Sequence, residues 1–244
     1  MNISETSQWY GLLLGNSRAH WAHFQGREIL KIWHSEDEQA GFDFAGSPVL
    51  IASVVPKKTL LWQNYPNSQI IELHHINLKN SYPTLGIDRA LALSGAMANY
   101  GTPALVIDAG TALTLSALSK SGEFVGGAIL PGLGLQFDLL TQATGALPKV
   151  KIPEILPPYW ANSTSEAIQS GIIHFILAGL NEFIKNWQSQ FSQSHIIFTG
   201  GDGEYLYKLI SQGRANFIYD PNLVFLGIRQ LAFKLERGFE PNGT

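Results

Sequence analysis

The chain has 244 residues, of which 45% are hydrophobic and only 14% charged, with a formal net charge of −3 and no cysteine. An average soluble protein is about 25% charged, so this composition supplies a sizeable core and leaves apolar surface for a partner copy to cover. It excludes disulfides, thiolate metal sites and cysteine nucleophiles, and the lack of a basic excess argues against a nucleic-acid partner.

Residues 1–9 are polar, with no basic stretch leading into an apolar one, and no apolar run reaches the ~18 residues of a membrane span. The nearest, 171–180, is short and contains His174. A cytoplasmic protein without a membrane partner is expected. In chain order, 10–14 reads as a short strand, Gly15-Asn16-Ser17 as a turn, and 18–24 as a second strand, with 28–33 able to pair beside it. Further short strands fall at 49–55 and 69–73, divided by Pro56 and Pro66. Residues 88–100 turn Ala/Leu-rich and helical, and Gly101 stands where a C-cap belongs.

The pattern then starts again. Residues 104–107 form a buried-type strand, Asp108-Ala109-Gly110-Thr111 a turn, and 112–118 a strand; Ser121-Gly122 turns the chain into 123–130, which runs on to Pro131-Gly132. A helix is predicted over 164–190, opened by a capping box of Ser163 with Glu166. A strand at 196–199, a loop at Gly200-Gly201-Asp202-Gly203, and helices over 204–211 and 222–237 complete the chain. Residues 147–158, with four prolines, read as a connection inside the second half.

Two strand–glycine turn–strand segments, Leu13 to Ser17 and Asp108 to Ala112, point to phosphate binding. Tight turns direct backbone N–H groups outward, and glycine lets an anion approach them. Two such turns facing each other would grip a polyphosphate from both sides, and the Gly200-Gly201 loop suits a nucleotide's sugar or base. The histidines at 74–75, and His23 with His34, have scattered spacing and read as structural or surface residues. The six tryptophans and thirteen phenylalanines read as core or interface.

Over 11–227 the sequence resembles the type III pantothenate kinases, a branch of the acetate and sugar kinase, Hsp70 and actin superfamily. The resemblance rests on Gly15-Asn16-Ser17-Arg18 with Trp21 and Phe24, on Gly86-Ile87-Asp88-Arg89, and on Asp108-Ala109-Gly110-Thr111-Ala112. Gly126-Gly127 with Pro131-Gly132, Thr164 with Glu166, Ala167, Ile168 and Gly171, and Thr199-Gly200-Gly201 extend it.

The resemblance implies an α/β fold of two RNase H-like, actin-like ATPase halves around a nucleotide cleft. The halves are expected at 1–102, with the first phosphate loop and the substrate motif, and 103–244, with the second phosphate loop and the nucleotide-side loop. It implies ATP-dependent phosphorylation of pantothenate, the first step of coenzyme A synthesis, with Mg2+ and a monovalent cation, potassium or ammonium. Asp88 would be the general base; Gly86, Ile87, Asp88, Arg89 and Thr164 would bind pantothenate. Leu13, Leu14, Gly15, Asn16, Ser17, Arg18, Ala19, His20 and Thr111 would hold ATP, and Asp108 the monovalent cation. A homodimer is implied as well. Leu13 stands where the family carries an aspartate, and leucine offers a hard cation no oxygen. A kinase for another small hydroxy compound, or a non-catalytic binding protein of the same fold, are the alternatives.

Overall fold

The apolar residues at the start of the chain alternate with half-exposed ones, as a strand with one face in a core requires. This strand, β1 (Gln8–Leu14), pairs antiparallel with β2 (Ala19–Gln25), which pairs with β3 (Glu28–Ser35). β4 (Val49–Ser53) and β5 (Ser68–Ile70) add in parallel on the other side of β1, giving the order β3-β2-β1-β4-β5. The computed structural model describes residues 3–36, 44, 46–62 and 65–235.

The second half builds the same sheet. β6 (Ala104–Ala109), β7 (Ala112–Leu118) and β8 (Phe124–Pro131) form the antiparallel part; β9 (His195–Thr199) and β10 (Phe217–Tyr219) lie parallel to β6. The order β10-β9-β6-β7-β8 is the first sheet's order repeated. The repeat visible at the two turns therefore extends to whole sheets. β10 was not predicted, being only three residues long.

One helical turn, α1 (Pro56–Thr59), follows β4 with Pro56 in its first turn, where the missing N–H costs nothing. A 3-10 turn at Leu60–Trp62 continues it. The stretch 71–73 expected to prolong β5 instead leads into a 3-10 turn at Leu73–His75. The longer helices are α2 (Ile87–Asn99), α3 (Leu133–Ala143), α4 (Thr164–Gln190), α5 (Gly203–Ser211) and α6 (Leu223–Leu235). α4 begins where its cap predicts: Ser163 Oγ accepts from Glu166 N at 3.3 Å, a contact worth about 1 kcal/mol.

The chain divides into two compact units, one of the described residues up to Asn99 and from Asn222 on, the other Tyr100–Pro221. The sequence reading assigned 222–244 to the second half, whereas α6 packs on α2 in the first unit. Glycines allow that packing. A methyl group at Gly227 would collide with the Leu91 carbonyl, and one at Gly95 with the Leu223 carbonyl and, at 3.0 Å, with Gly227 N. The ends of the second unit are joined by Tyr100 Oη, which donates to Asp220 Oδ2 at 2.7 Å. Burial and the neighbouring Asp220 carboxylate push the Tyr100 hydroxyl well above its ordinary pKa.

The first unit's core is aromatic: Trp21 and Trp62 are buried with Phe44, and Tyr10, Trp33 and Tyr65 pack at their margin. The second unit's core joins β6, β7 and β9 to the inner stripe of α4, from Ile168 through Ile176 and Leu180 to Trp187. α4 is long and apolar enough by composition to cross a membrane, although polar residues interrupt it throughout. That stripe is the apolar surface it contributes to the core. Its other face leaves Phe175 83% and Phe183 51% exposed.

Candidate active site

In the first unit the β1–β2 turn is closed by Gly15 N–H, which donates to Arg18 O at 3.0 Å. The glycine N–H is thus used by the turn itself, and the exposed tip consists of Asn16, Ser17 and Arg18. Leu14 and Ala19 flank it in register and are buried. Leu13 is half-buried and pairs with His20 across the strands.

His20 Nδ1 lies 2.8 Å from Nδ1 of His34, its cross-strand neighbour on β3. A methyl group at Gly15 would stand 3.7 Å from His20 Nε2, so the imidazole edge rests beside the turn. Burial, then His34 and the Arg18 guanidinium, push the His20 pKa down to about 4. The ring is neutral at physiological pH. From α1, Lys58 Nζ donates to Gly15 O at 3.2 Å.

The Gly86–Arg89 segment opens α2. Asp88 sits half-buried in the first turn, where a carboxylate complements the helix dipole, and its Oδ1 accepts from Arg89 N at 2.8 Å. Oδ2 makes no hydrogen bond among the described residues. A methyl group at Gly86 would lie 2.6 Å from Asp88 Oδ1, so only glycine leaves this carboxylate its place. Arg89 is buried, and its Nη1 donates to Tyr82 Oη at 2.9 Å.

In the second unit the corresponding turn is one residue shorter: Ala109 pairs with Leu113, whereas Leu14 pairs with Ala19 across one residue more. Gly110 N–H donates to Ala112 O at 3.0 Å, and Thr111 is exposed at the tip. Two further glycines press on this turn. Gly132, heading α3, donates its N–H to Thr111 O at 2.9 Å, and a side chain there would collide with the Gly110 carbonyl. Gly200, with φ +87°, lies so close to Asp108 that a methyl group would strike Oδ1 and, at 2.6 Å, the Ala109 carbonyl.

Asp202 N–H donates to that same Ala109 carbonyl at 2.8 Å. Asp202 occupies the N-cap of α5 without capping it, and burial pushes its carboxyl above the usual range. The structure therefore gathers Asp108, Gly110, Thr111, Gly132 and the Gly200 loop into one cluster. Thr164 is the exposed first residue of α4. Asp108 Oδ1 and the Ala109 carbonyl both crowd Gly200, which fixes the Gly200 loop against the end of β6.

Residues 13–186 match the type III pantothenate kinase family model. The chain is 44% identical to the type III pantothenate kinase of a Nostoc species, over 92% of this chain and 94% of that one. It is 40% identical to the Synechocystis protein of the same name, over 90% and 88%. The chain belongs to the type III pantothenate kinase family. Solved structures agree on the fold alone. A Baf-family protein from Campylobacter jejuni superposes with TM-score 0.69 at 23% identity, covering 93% of this chain and 99% of that one. Spiroplasma citri MreB5, solved with AMPPNP, gives 0.51 at 12%, covering 97% and 99%. These neighbours agree with the actin-like α/β fold expected from the sequence.

Three residues of this site escaped sequence reasoning. Lys58 is 43 residues from the glycine it touches, and no local signal marks it. Tyr82 lies outside the Gly86–Arg89 motif, yet its hydroxyl meets Arg89. Asp202 reads in sequence as part of the glycine loop, and only the structure places it at the N-cap of α5 with no capping bond from its carboxylate. Among the histidines, His34 pairs with His20 rather than His23, which stacks on Tyr10.

Proposed function

We propose that this pantothenate kinase transfers the γ-phosphoryl group of ATP to the primary hydroxyl of pantothenate, giving 4'-phosphopantothenate and ADP, the first step of coenzyme A synthesis. The observation that carries the reading is the Asp88 carboxylate, held by its own helix start beside Gly86, with Oδ2 making no hydrogen bond among the described residues. The hydroxyl oxygen attacks the γ-phosphorus, the bond to the β–γ bridging oxygen breaks, and the hydroxyl proton passes to Asp88.

Arg89, with its Tyr82 contact, and the Gly86-Ile87 backbone bind the acid and amide oxygens of pantothenate, and Thr164 adds a hydroxyl contact. Residues 13–20 and Thr111 hold the nucleotide. Asp108 would hold the monovalent cation, potassium or ammonium. Mg2+ would accompany ATP, and the cations would offset phosphate charge. Leu13 adds no oxygen to that set.

The exposed Phe175 and Phe183, with Trp160 93% exposed, favour a second copy of the chain covering this side of the second unit. The enzyme then acts as a cytoplasmic homodimer.

The test is pantothenate-dependent ADP release with Mg2+, with and without potassium, for the intact protein and Asp88→Asn. Loss of about 10²–10⁴-fold in kcat with ATP binding kept is the expected result. An Asp88→Asn enzyme of undiminished kcat removes the assignment of the base.

A further inference from the structure

We propose that Lys58 is a phosphate-binding residue of the first turn, its ammonium supplying the fixed positive charge that meets the nucleotide's polyphosphate; this rests on the kinase reading above. Lys58 reaches the turn from a braced corner. Val54 N–H donates to Leu14 O at 3.1 Å, which ties the end of β4 to the end of β1. Ser53 Oγ donates to Val55 O at 3.0 Å and accepts from Val55 N at 3.1 Å, and Lys58 N donates to Val55 O at 3.0 Å. The backbone that carries Lys58 is therefore fixed relative to the turn before any ligand arrives.

The side chain is half-buried, and Nζ lies 3.2 Å from Gly15 O. An ammonium is a compact point charge that binds phosphate without the fork geometry of arginine. Partial burial weakens the solvent screening that would otherwise dilute its effect.

The other basic groups at the turn fill a different place. His20 is neutral at working pH, for the reasons of burial and neighbouring charge given above. Arg18 is exposed at the tip, where a long side chain pays entropy for each contact it holds. Lys58 is the half-buried cation tied to the turn's own backbone.

Three variants separate this role from mere support of the turn. Lys58→Gln keeps a donor for Gly15 O and removes the charge, Lys58→Arg keeps the charge, and Lys58→Met removes both. Binding of ATP, ADP and adenosine is measured at two ionic strengths, with thermal melts to verify folding. Expected for Lys58→Gln is an ATP Kd raised roughly tenfold, about 1.4 kcal/mol, with adenosine affinity unchanged and a weaker salt dependence. Lys58→Arg should keep most of the affinity. Equal losses for ATP and adenosine, or an unchanged ATP Kd in Lys58→Gln, overturn the proposal. If the intact protein binds no ATP, the kinase reading fails and this one with it; if it binds ATP and Lys58→Gln binds it equally, only the assignment of Lys58 fails.

Discussion

Gly200 and Gly201 are adjacent, yet the structure asks opposite things of them. Replacing Gly200 with alanine puts a side chain at φ +87°, which costs roughly 1–2 kcal/mol for an L-residue. The same methyl group collides with Asp108 Oδ1 and with the Ala109 carbonyl at 2.6 Å, and backbone cannot yield as a flexible side chain would. Overpacking of this kind adds roughly 1–3 kcal/mol. The sum, about 2–5 kcal/mol, corresponds to a fall in Tm of roughly 4–20 °C for a chain of this size.

At Gly201 a methyl group meets nothing within 4 Å, so Gly201→Ala should stay within about 0.5 kcal/mol of the intact protein. Thermal and urea melts of the two variants, with ATP titrations, make the comparison. Gly200→Ala should also lose nucleotide affinity, because relief of the clash displaces the Asp108 turn. If Gly200→Ala melts within 2 °C of the intact protein, or the two variants lose equal stability, the reasoning from this close approach is wrong.

Two further outcomes are expected. His20 binds its proton at about pH 4 in the folded chain but near 6.5 when unfolded. The unfolded state thus takes up more protons between these values, and this residue's contribution, full above pH 6.5, is lost as pH falls toward 4. His20→Asn should therefore lose less stability than the intact protein between pH 7 and pH 5, as read from urea midpoints; an equal loss would exclude the effect. For the second copy on α4, Phe175→Asp should convert a dimer to a monomer in sedimentation, without lowering the melting temperature of the isolated subunit. A monomeric intact protein would exclude the dimer.

Much of this fold is legible because each element carries its own local signal. The helix 164–190 was readable to the residue from Ser163 and Glu166 at one end and the apolar stripe between. The strands flanking both glycine turns follow from their composition, and the turns themselves gave the repeat. α3 was missed because Gly132 and Gly134 bracket Leu133 and suggest continuing loop, whereas the buried Leu133 and Phe137, one turn apart, fix a helix against the core. The partner of α6 was invisible for a different reason. Leu223–Leu235 is apolar enough to pack on either half, and only the fit of Gly95 against Gly227 selects α2.

At the site, residues next to one another in sequence were readable and those joined across distance were not. Gly86-Ile87-Asp88-Arg89 is one turn of helix and its chemistry shows in the string. The contacts of Lys58 with Gly15 and of Gly200 with Asp108 span 43 and 92 residues, and composition gives no hint of either.

The return of α6 to the first unit bears on how the chain is made. Translation delivers residues 100–221 complete, with Tyr100 and Asp220 able to join, while the first unit still waits for its last helix. The second unit can therefore finish folding on the ribosome ahead of the one that began before it. In that interval the face of α2 around Leu91 and Gly95 has no α6 to cover it, so nascent chains halted before residue 222 should be the form that chaperones hold.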